Sequence, residues 1–284
     1  MEHVEAFGDA SMTGRDMYYN KAKQEGYRSR AAYKLKQLDR LEGLIGPGNT
    51  VVDLGAAPGG WMQVAAEMAG EGGTVIGVDR QRIDPLEDDH GARIETVRGD
   101  MTEEDTREEV VDIAGEAVGA ANAAGPERAS GHADVVVSDL APNMTGEYGL
   151  DHARSVHLAR QAFETALELL DSGGDFAVKV FEGQDLGGLR DEMEEKFEYV
   201  RTTSPDASRE ESSEVYLVAK GRLTAPVREG DRLTTEIVDE GSEGDGVAKV
   251  EDYTLFVPGA SAGEEVEIEV TDVKPRFGFA ERVD

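Results

Sequence analysis

Short runs of β-branched and apolar residues alternate with longer stretches of helical periodicity over most of the chain. The apolar runs predict strands at residues 50–54, 74–78, 93–97, 134–140, 175–181 and 215–219. The stretches around them predict helices at 29–41, 60–69, 103–118, 152–170 and 185–197, the first with Ala32, Leu35, Leu38 and Leu41 on one side. Apolar strands that alternate with helices are typical of a mainly parallel sheet covered on both faces, so the pattern predicts an α/β domain.

The periodicity changes after Gly221. Closely spaced strands at 233–238, 246–250, 254–257 and 265–270, without a helical period, predict a small β-barrel. We therefore expect a main domain at 15–221 and a barrel domain at 222–284, preceded by a flexible extension at 1–14. The stretch 114–133, rich in alanine and glycine, is interpreted as a helix end followed by a flexible insertion.

The charge balance is strongly acidic, with 60 aspartates and glutamates against 29 lysines and arginines and a formal net charge of −31 over 284 residues. Such a charge excludes general adhesion to nucleic acid. The acids are spread among apolar residues and glycines, which favours an acidic surface on a folded body over a disordered acidic tail. Because molar salt shortens the Debye length to about 3 Å and screens self-repulsion, the composition predicts a halophilic source.

Several classes of site and location are disfavoured by what the sequence lacks. It has no cysteine, which excludes disulfides and thiolate chemistry, and its five scattered histidines argue against a zinc centre, so we expect no metal. Residues 1–14 lack a basic start and an apolar run, and no stretch approaches the ~18 apolar residues of a membrane span. The expected location is the cytoplasm, with no membrane partner.

One segment departs from the acidic background. Residues 15–40 hold eight bases against three acids, together with Tyr18, Tyr19 and Tyr27. Basic side chains interleaved with aromatic rings are what binding to a phosphate backbone requires. The alternative is an ordinary helix with a solvated basic face. Because the rest of the chain is so acidic, we favour the phosphate-binding interpretation.

A glycine-rich turn, DLGAAPGGW at 53–61, joins the first predicted strand to the next helix. It lacks the G-x-G-x-x-G spacing of a dinucleotide site, and Pro58 has no amide to donate to a phosphate. Asp79 ends the second strand, where it could accept both hydroxyls of a ribose, and Asp100 follows the third, where it could accept from an adenine amine; either could instead cap its strand. A nucleoside without a phosphate, held by carboxylates, indicates S-adenosylmethionine.

The candidate chemistry lies at Lys179, inside the apolar strand DFAVKVF. Burying an ammonium group is costly, so this amine should be either ion-paired or partly neutral. Asp139, at the end of VVVSDLAPN, lies on the expected neighbouring strand and could hold the amine; the alternative is a purely structural ion pair. The VVVSDLAPN loop also differs from the Asn/Asp-Pro-Pro-aromatic motif of amino-methyltransferases, which makes an oxygen a better target than a base nitrogen.

The chain contains five recognisable motifs: YRSRAAYKL at 27–35, VVDLGAAPGGW at 51–61, DVVVSDLAPN at 134–143, FAVKVFEG at 176–183 and SSEVYLVAKG at 212–221. Together they resemble the FtsJ (RlmE) family of large-subunit ribosomal RNA uridine 2′-O-methyltransferases. The resemblance covers about residues 15–221. It implies a Rossmann-like S-adenosylmethionine-dependent methyltransferase fold, with a mostly parallel seven-stranded sheet and helices on both faces.

The same resemblance implies the roles of individual residues. The family's Lys-Asp-Lys-Glu catalytic tetrad falls on Lys34, Asp139, Lys179 and Glu214. The family's contacts to S-adenosylmethionine fall on Gly59, Trp61, Asp79, Asp100 and Asp139. From spacing alone, Lys34 would be an exposed helix lysine and Glu214 an edge-strand acid.

The region after residue 222 resembles a TRAM domain, a small RNA-binding barrel of the OB-like type that occurs on RNA-modifying enzymes. Residues 222–284 hold 7 bases against 16 acids, which departs from a basic RNA binder and leaves a stability or protein-contact module as the alternative. By charge and stacking, we expect any RNA contact at Lys249, Lys274, Arg276, Phe277 and Phe279.

These observations predict a 2′-O-methyltransferase in which Lys179 is the base, Asp139 orients it, and Lys34 and Glu214 position the ribose. The expected partner is large-subunit ribosomal RNA, free or in the assembled subunit, with the chain as a monomer. A tRNA 2′-O-methyltransferase has the same tetrad and stays open as the alternative. An inactive scaffold would not need both Lys179 and Asp139, and a small-molecule enzyme would need neither the basic segment nor the barrel.

Overall fold

The computed structural model describes residues 15–122, 133–208, 213–241 and 244–283. The expected extension at 1–14 and the second half of the expected insertion lie outside these ranges. Seven strands form one sheet in the order β3-β2-β1-β4-β5-β7-β6. Their bounds are β1 (Thr50–Leu54), β2 (Thr74–Asp79), β3 (Arg93–Arg98), β4 (Ala133–Ser138), β5 (Leu170–Phe181), β6 (Phe197–Thr203) and β7 (Glu214–Arg222).

Six helices accompany the sheet in the described part of the chain: α1 (Arg15–Gln24), α2 (Ala32–Glu42), α3 (Gly60–Ala69), α4 (Glu104–Asn122), α5 (Tyr148–Leu169) and α6 (Leu186–Glu194). The stretch from 114 to 122 continues α4. None of the helices in the described ranges has the length and hydrophobicity needed to cross a bilayer.

The pairing confirms the expected mostly parallel sheet. Strands β1 to β5 pair in parallel, whereas β7 runs antiparallel to both β5 and β6. The apolar pattern did not predict β6, which follows the end of α6, because its burial pattern lacks both regular alternation and a continuous apolar run. Leu41, expected on the buried side of α2, is 57% exposed.

Apolar side chains cover both faces of the sheet. One core packs α4, α5 and α6 against one face through residues such as Val52, Val136 and Phe176. The other packs α2 and α3 against the opposite face through residues such as Leu35, Met62 and Val137. Since adjacent strand residues point to opposite faces, Lys179 lies on the α2 side together with Ala177.

The strand order reverses between β1 and β4, and the loops that follow these two strands touch. Gly55 has a φ of +82°, and a Cβ atom there would lie 2.2 Å from a Leu140 methyl carbon. A side chain is therefore excluded on steric and conformational grounds. In open α/β sheets such a switch point opens a crevice at the carboxyl ends of the strands, which is the usual position of a ligand.

The last five strands close into a barrel in the order β10-β12-β11-β8-β9. They are β8 (Arg232–Glu240), β9 (Gly246–Val250), β10 (Tyr253–Val257), β11 (Glu265–Val273) and β12 (Phe277–Arg282). The core contains Ile237, Leu255, Ile268 and their neighbours. The turn between β11 and β12 contacts the main sheet, where Lys274 pairs with Glu198 at 2.9 Å and Ser172 donates to the Pro275 carbonyl.

Candidate active site

Four charged side chains meet at the carboxyl edge of the sheet. Lys179 Nζ lies 2.9 Å from Asp139 Oδ1 and donates to the Asp139 backbone carbonyl at 2.6 Å. Lys34 Nζ lies 3.5 Å from the same Oδ1 atom and 3.0 Å from Glu214 Oε2. The two lysines are only 5% and 6% exposed, so the ion pairs lie in a largely dry environment where they are weakly screened.

Strand register and helix packing explain this convergence. Lys179 on β5 is paired with Tyr216 on β7, and Phe181 is paired with Glu214, so the side chains of Lys179, Tyr216 and Glu214 share one face. Asp139 follows directly after β4, which is the other neighbour of β5. Helix α2 covers this face and places Lys34 over it. Strand register and the packing of α2 therefore bring together residues that are far apart in the chain.

Tyr216 is a member of the cluster that the sequence reasoning missed. Its hydroxyl donates to Asp139 Oδ1 at 2.6 Å, and its ring lies 5.7 Å from Lys34 Nζ. Burial raises the pKa of this phenol well above its usual value, and the charges of Asp139 and Glu214 add to the shift. The phenol is therefore a permanent donor. Its sequence signal, a polar tip inside the apolar stretch EVYLVAKG, is indistinguishable from an ordinary core tyrosine.

The glycine-rich turn is shaped by close contacts on its outer side. Gly59 has a φ of +103°, and a Cβ there would lie 2.8 Å from Arg28 Nη1. A Cβ on Gly60 would lie 2.4 Å from Ser29 Oγ. Trp61 is almost wholly buried, donates to the Ala31 carbonyl at 2.7 Å and packs 5.9 Å from the ring of Tyr216. The turn thus lies between the crevice and the charged cluster around Asp139.

Asp79 and Asp100 stand at the ends of β2 and β3 and both have local hydrogen-bond donors. The Asp79 carboxylate accepts from the amides of Ala57 at 3.0 Å and Gln81 at 2.7 Å. Asp100 Oδ1 accepts from the Thr102 amide and hydroxyl, which lowers the pKa of the Asp100 carboxyl. Both residues therefore cap their strand ends, and each capped carboxylate keeps lone pairs on the crevice side of the sheet edge.

Asp53, near the end of β1, is a second residue that the sequence reasoning passed over. Its side chain is 1% exposed, and Oδ2 has no hydrogen-bond partner among the described residues. Burial raises the pKa of this carboxyl well above its usual value, and the charges of Asp139 and Asp79 raise it further. Burial among like charges therefore favours the protonated, neutral form of this carboxyl.

The basic segment at 15–40 is less available to RNA than its composition implies. Arg28 donates to the carbonyls of Pro58 at 3.0 Å and Asp84 at 2.6 Å, and also to that of Pro85. Lys36 pairs with Glu67 at 3.0 Å. Lys23 and Arg40 remain exposed, so part of the segment keeps the predicted basic surface.

Carboxyl side chains follow one another along this edge of the sheet. Within the described ranges, no group of three or more histidine, aspartate or glutamate side chains has the geometry to hold a metal. The carboxylates of Asp53, Asp79, Asp100 and Asp139 instead line successive strand ends. Asp79 accepts from the Ala57 amide and so places a carboxylate directly against the glycine-rich turn.

Comparison with known proteins identifies the two parts of the chain. Residues 27–222 match the FtsJ-like methyltransferase family, and residues 226–283 match the TRAM domain. Two relatives named Ribosomal RNA large subunit methyltransferase E, from Natronomonas pharaonis and Haloarcula marismortui, are 64% and 62% identical over 273 residues, which is 96% of this chain and 100% of each relative. A Plasmodium falciparum crystal structure assigned to the ribosomal RNA methyltransferases has a TM-score of 0.56 at 25% identity and covers 69% of this chain and 98% of its own. Both resemblances found in the motifs are confirmed, and the haloarchaeal relatives fit the predicted halophilic source.

The raised pKa of Asp53 predicts a pH-dependent effect on stability. A carboxyl whose folded pKa lies above its unfolded value stabilises the fold at low pH, and this contribution is lost as the pH rises from the ordinary value of 3.8 through the folded value. We expect Asp53→Asn to increase the free energy of unfolding at pH 8 by roughly 1–3 kcal/mol, which raises the melting temperature, and to have little effect near pH 4. Thermal unfolding across this range measures the difference. The exposed Asp206→Asn is the control, and an Asp53→Asn effect independent of pH would contradict the prediction.

Proposed function

The chain belongs to the FtsJ-like methyltransferase family and carries a TRAM domain, and from this premise we propose that it transfers a methyl group from S-adenosylmethionine to the ribose 2′-hydroxyl of a uridine in large-subunit ribosomal RNA. The observation that carries the proposal is the buried cluster in which Lys34, Lys179 and Tyr216 share one oxygen of Asp139. The names of the relatives support ribosomal RNA as the substrate.

Lys179 is the proposed base. A 2′-hydroxyl is a weak acid, so its oxygen attacks well only if a neighbouring group takes the proton. A neutral lysine amine has two N–H bonds and one lone pair, and two oxygens of Asp139 contact Nζ, at 2.6 and 2.9 Å. If both N–H bonds are directed to Asp139, the lone pair is left for the substrate hydroxyl. Such proton transfer contributes about 10²–10⁴-fold to the rate.

The other members of the cluster set the charge around this base. Lys34 approaches the same carboxylate oxygen that holds Lys179, at 3.5 Å and 2.9 Å respectively. Glu214 lies 3.0 Å from Lys34 and balances its charge. We assign Lys34 and Glu214 to positioning the ribose, and Tyr216 to holding the Asp139 carboxylate in place.

The acidic crevice fits a cationic nucleoside that carries no phosphate. S-adenosylmethionine, when bound, supplies the methyl group on a positively charged sulfur. The carboxylates of Asp79 and Asp139 provide negative potential that such a cation relieves, and Asp53 is buried next to them. We assign Asp79 to the ribose hydroxyls and Asp100 to the adenine amine. We assign Gly59, which has no side chain, to the part of the backbone that approaches this ligand. We assign Trp61, which packs on Tyr216, to the wall of the same pocket.

The barrel is proposed as a second RNA contact. Phe256, Phe277 and Phe279 pack with ring centroids 5.6 to 5.9 Å apart, and we call them the aromatic face. Register places exposed Lys249 beside Thr254 and Phe277 in one row across the barrel. Arg276 is exposed next to Phe277. Lys274 is less available than the sequence implied, because its amine pairs with Glu198 and Asp272.

The proposal is tested first by replacing the base. Lys179→Met should lower kcat at least about 100-fold, because no amine remains to take the proton, while the Kd for S-adenosylmethionine changes little. Single-turnover methylation and calorimetric titration measure the two quantities. Lys220→Met is the matched control, since Lys220 is also a lysine on a strand. Its amine donates to the backbone carbonyls of Glu42 and Gly43 at the other end of the sheet. Methylation by Lys179→Met near the wild-type rate would refute the assignment.

The substrate is identified by mapping 2′-O-methylated nucleotides in total RNA from a deletion strain. The proposal expects one uridine of large-subunit ribosomal RNA to lose its methyl group. Loss confined to tRNA would establish the alternative tRNA enzyme, and no loss in either RNA would refute 2′-O-methylation by this chain.

Arg28 gives a prediction for cofactor binding. Its guanidinium bridges the glycine turn and the loop after β2, so Arg28→Ala should loosen both and raise the Kd for S-adenosylmethionine about tenfold, equivalent to one charge-assisted hydrogen bond of about 1.4 kcal/mol. The compact lysine ammonium lacks the planar fork by which Nη1 and Nη2 reach carbonyls on both loops, so Arg28→Lys should not restore affinity. Lys23→Ala, an exposed base of the same segment, is the control. A rise in the KM for RNA without a change in cofactor affinity would show that Arg28 binds RNA instead.

The aromatic face gives a prediction for RNA affinity. Loss of base stacking costs about 1–3 kcal/mol per base, so Phe277→Ala combined with Phe279→Ala should raise the KM for RNA at least about fivefold and leave kcat unchanged. Val238→Ala removes an exposed apolar side chain elsewhere on the barrel and is the control. An unchanged KM would favour the alternative that the barrel is a stability module.

A further inference from the structure

An exposed tyrosine lies beside the strand end that follows Lys179. Tyr148 opens α5 and is 63% exposed, in a chain whose surface is otherwise dominated by carboxylates. Its hydroxyl donates to the Glu182 carbonyl at 2.6 Å. Glu182 follows Lys179 by three residues, and its amide donates to the carbonyl of Ser213, the residue before Glu214. The tyrosine is therefore attached to the strand ends that carry two members of the catalytic cluster.

The distance to the reaction centre fits a neighbouring nucleotide. Three residues along an extended strand span about 10 Å, so the ring lies within about one or two nucleotide lengths of Lys179. The loop that leads to Tyr148 begins at Asp139 itself. A ring in this position is adjacent to the site where the acceptor ribose must lie.

The position of the ring is held firmly. Asp151 accepts from the Thr145 amide and hydroxyl and from the Gly146 amide, at 2.7 to 2.9 Å, and so closes the loop before α5. His152 Nδ1 lies 2.9 Å from the Phe181 carbonyl and fixes the first turn of α5 to the end of β5. A ring held by such contacts loses little conformational freedom when a ligand stacks on it.

The chemistry around the ring selects an uncharged part of RNA. Glu147 and Glu182 are exposed beside Tyr148, and their charge opposes a phosphate. The exposed Met144, four residues earlier, adds an apolar surface in the same loop. At molar salt, phosphate contacts lose most of their contribution, whereas stacking of a base on an aromatic ring does not depend on released counterions.

We infer that Tyr148 is a stacking platform for the nucleobase that flanks the acceptor nucleotide. The inference rests on the proposed RNA 2′-O-methyltransferase function and adds a substrate subsite to it. A stacked neighbour orients the acceptor ribose toward Lys179 without adding positive charge to an acidic surface.

The test uses the full chain, S-adenosylmethionine and the ribosomal RNA fragment that the wild type methylates. Tyr148→Ala should raise the KM for this RNA about 5- to 100-fold and leave the Kd for S-adenosylmethionine unchanged. Tyr148→Phe keeps the ring and should retain most of the affinity, while Tyr148→Leu should resemble Tyr148→Ala. The control is Tyr199→Ala, an exposed tyrosine on β6, paired with Lys220 at the opposite edge of the sheet.

A double-mutant cycle identifies the partner. RNA fragments that lack the base on the 5′ or the 3′ side of the acceptor should bind the wild type more weakly, and for one of the two sides Tyr148→Ala should add no further loss. Additive effects at both sides would overturn the inference, as would a KM for Tyr148→Ala equal to that of the wild type. A Tyr148→Phe variant as weak as Tyr148→Ala would also overturn it, because the hydrogen bond rather than the ring would then be the functional part. Failure of the wild type to methylate any RNA would instead refute the proposed function, so the two failures are distinct.

Discussion

A single carboxylate oxygen, Asp139 Oδ1, organises the site. It contacts the amines of Lys34 and Lys179 and accepts the Tyr216 hydroxyl, and these donors come from a helix and two strands. Removing one partner from such a cluster leaves another buried charge uncompensated, which is strongly unfavourable. The relative positions of α2, β4, β5 and β7 are therefore coupled to the charges of the cluster. In the proposed reaction, this coupling also fixes where the sugar hydroxyl meets the Lys179 amine.

In the crevice next to this oxygen, carboxyl groups lie close to one another rather than to cations. Burial and the like charges of Asp139 and Asp79 raise the pKa of Asp53, and one oxygen of Asp53 has no partner within the described residues. The fold tolerates this arrangement because other interactions stabilise the surrounding loops, among them the Arg28 contacts with three carbonyls. A cationic ligand bound there would relieve the repulsion between carboxyl groups and so increase the free energy of unfolding. The stability of the fold is therefore linked to cofactor affinity.

The acidic surface changes how the chain can recognise RNA. In concentrated salt the contribution of phosphate contacts falls steeply, and here several bases of the segment 15–40 are already bound to carbonyls or carboxylates of the protein. Exposed rings offer RNA a second kind of contact beside the bases that stay exposed. The aromatic face of the barrel and Tyr148 both present rings to solvent, at the barrel surface and at the mouth of the site. Stacking is therefore the interaction that an acidic RNA enzyme can use without altering its charge.

The sequence by itself determined the strand and helix alternation, the small barrel and the two families, because apolar periodicity and short motifs are local properties. It also singled out Lys179, since a lysine within an apolar strand is conspicuous without coordinates. Only the tertiary structure decided that Tyr216 and Asp53 belong to the site, that Arg28 contacts the protein's own carbonyls, and that Lys274 pairs with Glu198. The edge strand β6 escaped the pattern because partial burial on one side leaves only a weak periodic signal. Each of these outcomes depends on which distant residues share a strand register or a helix face, and such pairings are set by packing across the whole sheet.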